Sequence, residues 1–258
     1  MSKGMLYDAT LCIGCLECEK ACATTNKLPY DEKLEKQKKT NEYKFTYVAV
    51  NTVKSEDKYM RRMCMHCVDP ACASVCPVGA LEKTKLGPVV YDAGKCMGCR
   101  YCMIGCPYNI PKYEWSKKIP TVKKCIMCSD RVAAGGQTAC SEACPTGATI
   151  FGEREELLAE AHKRLRENPS AYVNHVYGET ELGGTSLLML SSVPFEQFDL
   201  KPFANQPLPQ LTGNALSHIP DIVTVGATAL GGVYWITNRR DAVAAAEARD
   251  RNQQKDEK

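Results

Sequence analysis

Sixteen cysteines in a chain of 258 residues, none of them beyond position 144, constrain this sequence more than any other feature. They form four groups of four: Cys12, Cys15, Cys18 and Cys22; Cys64, Cys67, Cys72 and Cys76; Cys96, Cys99, Cys102 and Cys106; Cys125, Cys128, Cys140 and Cys144. The third group spells C-x2-C-x2-C-x3-C-P, and the first has the same spacing without the proline. The second opens one gap to four residues, and the fourth opens one to eleven. Pro77, Pro107 and Pro145 each follow the last cysteine of their group.

Such spacing has few uses. A disulfide framework belongs to short secreted chains, and two cysteines separated by two residues are awkwardly close to bridge. Structural zinc takes four thiolates from paired C-x2-C doublets and stands as an alternative. The triplets of cysteines and the x3-C-P endings favour iron–sulfur. Three cysteines on one tight loop can wrap three corners of a cube of iron and sulfide, while the fourth, turned the other way, reaches a neighbouring cube. Four groups of four then imply four 4Fe–4S clusters. Gly14 and Gly98, each just before the second cysteine of its group, let backbone N–H groups approach the sulfides, which raises the cluster potential.

Composition removes other classes. The balance of 33 basic against 30 acidic residues leaves a net charge of +3, too little for a protein that binds by neutralising phosphates. Five Phe and two Trp make a poor stacking platform for bases, so no nucleic-acid partner is expected. The chain contains no G-x-G-x-x-G, no G-x-x-x-x-G-K-[ST] and no H-E-x-x-H, so nothing suggests catalysis on its own. His66, between Cys64 and Cys67, reads as a packing or hydrogen-bonding residue beside a cluster. His162, His175 and His218 are dispersed and read as structural or exposed. Lys112, Lys117, Lys118, Lys123 and Lys124 suit an ordinary solvated face equally with a role in raising potentials or meeting an acidic partner.

The cysteine repeat organises the fold class, α+β. Groups two and four each lead into a Gly-Ala turn and a β-like run, at residues 80–91 and 146–151. Groups two and three read as one contiguous ferredoxin-like unit, and groups one and four as a second that closes around it. Between them, residues 31–39 form a lysine-rich polar run read as a solvated loop, and residues 43–50 alternate as a strand.

Residues 153–166 read as a helix with Leu157, Leu158, Ala161 and Leu165 on one stripe, stopped by Asn168-Pro169. The four-cluster domain is therefore expected over 1–165, followed by an irregular partner-binding arm over 166–215 that is rich in proline after Pro194. Residues 222–236 carry no charge, and extending that run gives a single transmembrane helix over 216–238 with Tyr234 and Trp235 at one end. A buried soluble helix is the alternative. The charged tail, 239–258, holds six basic residues where 200–218 holds only Lys201, which places the tail in the cytoplasm and the clusters outside. Residues 1–10 show neither an apolar stretch nor twin arginine, so no signal peptide is expected there.

The stretches DATLCIGCLECEKAC (residues 8–22), CMHCVDPACASVCPVGAL (64–81), GKCMGCRYCMIGCPYNIPKYEW (94–115) and ACSEACPTGATIFGEREELLAEA (139–161) carry a resemblance. They resemble the four-cluster iron–sulfur beta subunits of formate dehydrogenases and of dimethyl-sulfoxide and polysulfide reductases, and most of all the ferredoxin-like subunit of hydrogenase-2 type enzymes. The resemblance implies two interlocked dicluster units and crossed ligand sets. Cys12, Cys15 and Cys18 with Cys144 would hold one cluster, and Cys125, Cys128 and Cys140 with Cys22 its partner. Cys64, Cys67 and Cys72 with Cys106 would hold a third, and Cys96, Cys99 and Cys102 with Cys76 the fourth. It further implies an electron wire between a catalytic subunit (nickel–iron hydrogenase, or a molybdenum or tungsten dehydrogenase) and a quinone-reactive integral membrane subunit, with a multihaem cytochrome as a further partner to test. Relatives without a signal peptide cross the membrane folded, on a partner's signal; a cytoplasm-facing subunit is the other arrangement. The rival reading is a free-standing soluble polyferredoxin, which needs neither arm nor membrane helix.

Overall fold

The computed structural model describes residues 2–256. The chain divides into two compact units, one ending at Pro209 and one beginning at Gln210. In the first unit, β1 (Lys3–Asp8) leads to α1 (Glu17–Thr25) and the short α2 (Glu32–Lys36). The hairpin β2 (Tyr47–Val53) and β3 (Glu56–Arg62) follows, then α3 (Ala71–Ser74), β4 (Leu81–Lys83), β5 (Val89–Tyr91) and α4 (Tyr101–Ile104). After β6 (Lys112–Tyr113) and β7 (Val122–Lys123) come α5 (Ser129–Ala133), α6 (Ala139–Glu142), β8 (Thr149–Glu153), α7 (Arg154–Glu167) and β9 (Leu187–Leu190).

One sheet sets the architecture. β1 lies in its middle, antiparallel to β8 and parallel to β9, with Met5 opposite Phe151 and Leu187. Alternation along β1 gives each face a separate task. Leu6 joins Leu188 and Leu190 against Leu157, Ala161 and Leu165 of α7. Met5 and Tyr7 join Leu187 and Met189 on the other side, in a core that also holds Cys22, Cys64, Cys125 and Cys140. A third core gathers Cys72 and Cys102 with Leu81, Val89, Tyr113 and Val122 around the β4–β5 and β6–β7 hairpins.

The helix expected over 153–166 is α7; of the expected stripe Leu157, Ala161 and Leu165 are buried and Leu158 is partly so. The expected strand begins later, at Tyr47, and pairs with β3 through the two-residue turn Lys54-Ser55, whose φ angles of 51° and 66° match the twist of a tight hairpin. Within the lysine-rich run, Asp31 accepts the Leu34 N–H and starts α2. Lys44 reaches back from this insertion to pair with Glu19 of α1 at 2.7 Å, both side chains buried.

The domain boundary at 165 and the arm over 166–215 need correction. Leu187–Leu190 are fully buried in the central sheet, and Tyr177, Phe195, Phe198 and Leu200 belong to the core that holds the cysteines. Prolines 194, 202, 207 and 209 punctuate a packed segment here and do not mark a free one. The last helix, α8, runs Gln210–Asp256, longer at both ends than the expected 216–238, and takes in the described part of the charged tail. Its Gln210–Arg249 stretch is long and apolar enough to cross a membrane by length and composition.

Leu188 makes the role of β9 measurable. Leu188→Ala removes a side chain with no exposure between β1 and α7 and should cost about 2–5 kcal/mol, read from the denaturant midpoint of the cluster-loaded protein. Ile119→Ala, at an 84% exposed position, should stay within about 0.5 kcal/mol.

Candidate metal centres

The four cysteine groups share one local design. The residue before the second cysteine is left-handed in every group: Gly14 at φ 68°, His66 at 48°, Gly98 at 76° and Met127 at 54°. Such a twist lets successive N–H groups converge on the concave side of the loop, a cradle for anionic sulfide. Glycine supplies it in groups one and three, where a Cβ on Gly14 would strike the Tyr59 ring and one on Gly98 would lie 2.7 Å from the Tyr113 hydroxyl. His66 and Met127 adopt it despite their side chains, a cost of about 1–2 kcal/mol each.

The third cysteine always stands on a helix: Cys18 on α1, Cys72 on α3, Cys102 on α4 and Cys140 on α6. α3, α4 and α6 have four residues each, because the Cys-Pro step that follows cannot continue a helix. Cys22 has no proline after it, and α1 runs nine residues. Beyond each proline a left-handed residue (Gly79, Asn109 or Gly147) turns the backbone so that N–H groups point back at the sulfur. The Ala80 N–H donates to Cys76 Sγ at 3.2 Å.

In three of the four expected groupings the cysteines are electrostatic neighbours. Cys22 lies among Cys125, Cys140 and Cys128. Cys64, Cys106 and Cys72 surround Cys67. Cys96, Cys76 and Cys99 surround Cys102. For the remaining set, Cys12 is near Cys18 and Cys15 is exposed, while Cys144 sits under the N–H groups of Thr149, Thr146 and Ala148. The sets also neighbour one another, through Cys18 and Cys140, Cys125 and Cys64, and Cys72 and Cys102.

All sixteen cysteines are unbridged. Burial pushes Cys18 and Cys102 up to about 11 and Cys72 and Cys125 up to about 12, so without a cation these sulfurs hold their protons at neutral pH. Cys76 and Cys144 fall below the ordinary thiol range although burial opposes it, because ringed backbone N–H groups favour the thiolate. Among the described residues, no three His, Cys, Asp or Glu side chains are gathered tightly enough to hold a single ion. Tetrahedral zinc needs four sulfurs about 2.3 Å from one centre, whereas a cube spreads its thiolates over four irons. The donor set fits the cube.

His66 is fully buried, and its Nδ1 accepts the Val89 N–H at 2.9 Å, which leaves the ring proton on Nε2. Burial and the nearby Lys124 and Lys83 hold the ring neutral. The chain gives Nε2 no partner among the described residues; a sulfide beside Cys64 and Cys67 would supply one. His162 pairs with Glu179 at 3.0 Å and His175 with Glu181 at 2.5 Å, as structural residues do. Lys117 and Lys123 pair with Glu114, and Lys112 bonds Asn109, while Lys118 is exposed. Lys124 departs from them: it is buried, and its ammonium donates to the carbonyls of Val89 and Cys125. Sequence reasoning also missed Arg61, a fully buried guanidinium beside Cys140, Cys18 and Cys22. Nothing in the sequence around Arg61-Arg62 signals that one of the two is buried.

These centres agree with the comparisons. The 4Fe-4S dicluster domain family matches residues 55–154. The hydrogenase-2 operon protein HybA of Escherichia coli O157:H7 is 41% identical over 238 residues, covering 77% of this chain and 73% of its own. A protein of Nitratidesulfovibrio vulgaris strain Hildenborough is 41% identical over 257 residues, covering 95% and 70%. The iron-sulfur subunit of the nitrate-inducible formate dehydrogenase of Escherichia coli K12 is 35% identical over 196 residues, covering 71% and 66%. With a cradle and a helix-borne third thiolate repeated along it, this chain belongs to the family of iron–sulfur electron-transfer subunits that includes HybA and the formate dehydrogenase iron-sulfur subunits.

Proposed function

We propose that this chain relays single electrons through four 4Fe–4S clusters within a membrane-bound respiratory oxidoreductase and performs no catalysis by itself. Its partners are a catalytic subunit, of the hydrogenase kind named for HybA or the formate dehydrogenase kind named for its other relatives, and a quinone-reactive integral membrane subunit. Groups one and four make one dicluster unit, interlocked with a second made by groups two and three, and the ligand sets cross as the resemblance implies. α8 is the membrane span. Basic residues in its last third put that end in the cytoplasm and the clusters on the opposite side.

The observation that supports this reading is the order in which the cysteines neighbour one another. The set of Cys18 adjoins that of Cys140, whose Cys125 adjoins Cys64, whose neighbour Cys72 adjoins Cys102. A diffusible carrier needs clusters near its surface, while a file of four supports passage from one end to the other. Both ends carry apolar rims beside their cysteines: Leu11 and Ile13 at one, Met97, Tyr101 and Ile104 at the other, with Ile104 83% exposed. Exposed apolar surface at two electron ports suits two docked partners.

Four clusters require about 16 iron and 16 sulfide per chain in anaerobically purified protein; zinc, or half that iron, would defeat the assignment. Crossing predicts that Cys106→Ser damages the cluster of Cys64, Cys67 and Cys72, as read by paramagnetic resonance. Loss confined to the cluster of Cys96, Cys99 and Cys102 would refute it. A chain ending at Pro209 should keep all its iron, since every cysteine precedes that point, and should leave the membrane fraction. Dye-linked turnover of the complex should survive while quinone-linked turnover falls. Full membrane retention and quinone coupling would show that α8 is no anchor.

A further inference from the structure

Arg61 stands out among the charged residues of the first unit. It lies on β3 opposite Val48 of β2, with 1% of its surface exposed. Strand alternation sends the next side chain, Arg62, the other way, to the Phe198 carbonyl at 2.7 Å. Arg61 turns inward. Its Nε donates to Thr46 Oγ1 at 3.0 Å and one Nη to Thr149 Oγ1 at 3.4 Å, both neutral acceptors. Among the described residues no carboxylate lies within ion-pair distance of it; Glu19, a buried acid that bonds the neighbouring Val48 N–H, is taken by Lys44. A guanidinium cannot shed its proton to escape burial. An uncompensated buried charge is strongly disfavoured, so its counter-charge must be sulfur.

The sulfurs are in place. Cys140 lies beside the guanidinium and feels its charge most strongly. Cys18, Cys22 and Cys128 also feel the charge. These four cysteines belong to two different expected ligand sets, so one cation serves the junction between two clusters.

We infer that Arg61 is a potential-setting residue, a fixed buried cation that raises the reduction potentials of the two clusters held by groups one and four together. The inference rests on the cluster ligation proposed above. A cluster gains one negative charge on reduction, and a cation in a low-dielectric site stabilises that form more than the oxidised one. Electrons are thereby favoured on this pair, while the clusters of groups two and three receive no contribution from Arg61.

The test is a redox titration of the full-length protein in its complex, followed by paramagnetic resonance. It uses Arg61→Gln, Thr46→Asp and Arg61→Lys. The first removes the charge, the second neutralises it with a carboxylate of similar size beside Nε, and the third keeps it. In Arg61→Gln and Thr46→Asp, two of the four clusters should become at least about tenfold harder to reduce at a fixed poise, about 59 mV for a one-electron couple. Arg61→Lys should stay nearer the parent, and the other two clusters should not move. Either charge-cancelled variant with full iron and unchanged potentials would overturn the inference, as would a shift spread over all four clusters. If both lose the two clusters while Arg61→Lys holds them, the charge is again shown to be what the site needs. Loss in all three variants would show that the shape of Arg61 matters and not its charge. Resonance of the unaltered protein, recorded first, separates these results from a failure of the four-cluster assignment itself.

Discussion

Anionic sulfur inside a protein interior is what the rest of this structure is arranged to tolerate. A buried thiolate is costly, and burial alone holds these thiols protonated well above neutrality. Three devices act against that cost. Converging N–H groups in the left-handed loops and after the Cys-Pro steps supply partial positive charge without a titratable group. Buried cations, Arg61 and Lys124, supply whole charges. Iron supplies the remainder, so cluster and fold are expected to be stable together.

The central sheet divides the labour. One face of β1 is an ordinary aliphatic interface with α7, of the kind that any small α/β domain uses. The other meets the cysteine-bearing core through Met5, Tyr7, Leu187 and Met189. Methionine is common on that side, with Met60, Met63, Met65 and Met127 also buried there, and its soft, adaptable side chain suits the irregular space between loops. The aliphatic face gives the chain rigidity that the loop-rich half lacks. Arg164 of α7 adds a tie of its own, reaching buried Asp8 at the end of β1 at 2.9 Å.

Much of the loop design was legible because it is local: the spacing of cysteines, the glycines and the prolines after the fourth positions each force a backbone feature seen in the structure. α7 was legible for the same reason, with its polar first turn and one apolar stripe. β9 was not. Leu187-Leu188-Met189-Leu190 is a short uniform apolar run whose period reveals neither helix nor strand, and its partner, β1, is distant in sequence. The prolines after it suggested a free arm, while the residues between them, Phe195, Phe198 and Leu200, are core. β3 was hidden by composition, since five of the seven residues in EDKYMRR are charged. Its turn, Lys54-Ser55, lacks the Asn-Gly signature of such hairpins. Arg61 falls within that strand, which is why its inward course had no signal in the sequence.

A ribosome delivers a chain at roughly 5–20 residues per second, and here the order of delivery differs from the order of completion. Cys64 to Cys106 emerge close together, although the loop of Cys64 and Cys67 still bonds to residues 184–187. Cys22 must wait for a partner helix, α6, about a hundred residues later, and β1 waits still longer for β9. During that interval the first group is a loop of free thiols with no sheet behind it, open to oxidation. Whatever loads iron into this protein must shield that loop or return to it, because the cysteines made first stay open until β9 is made.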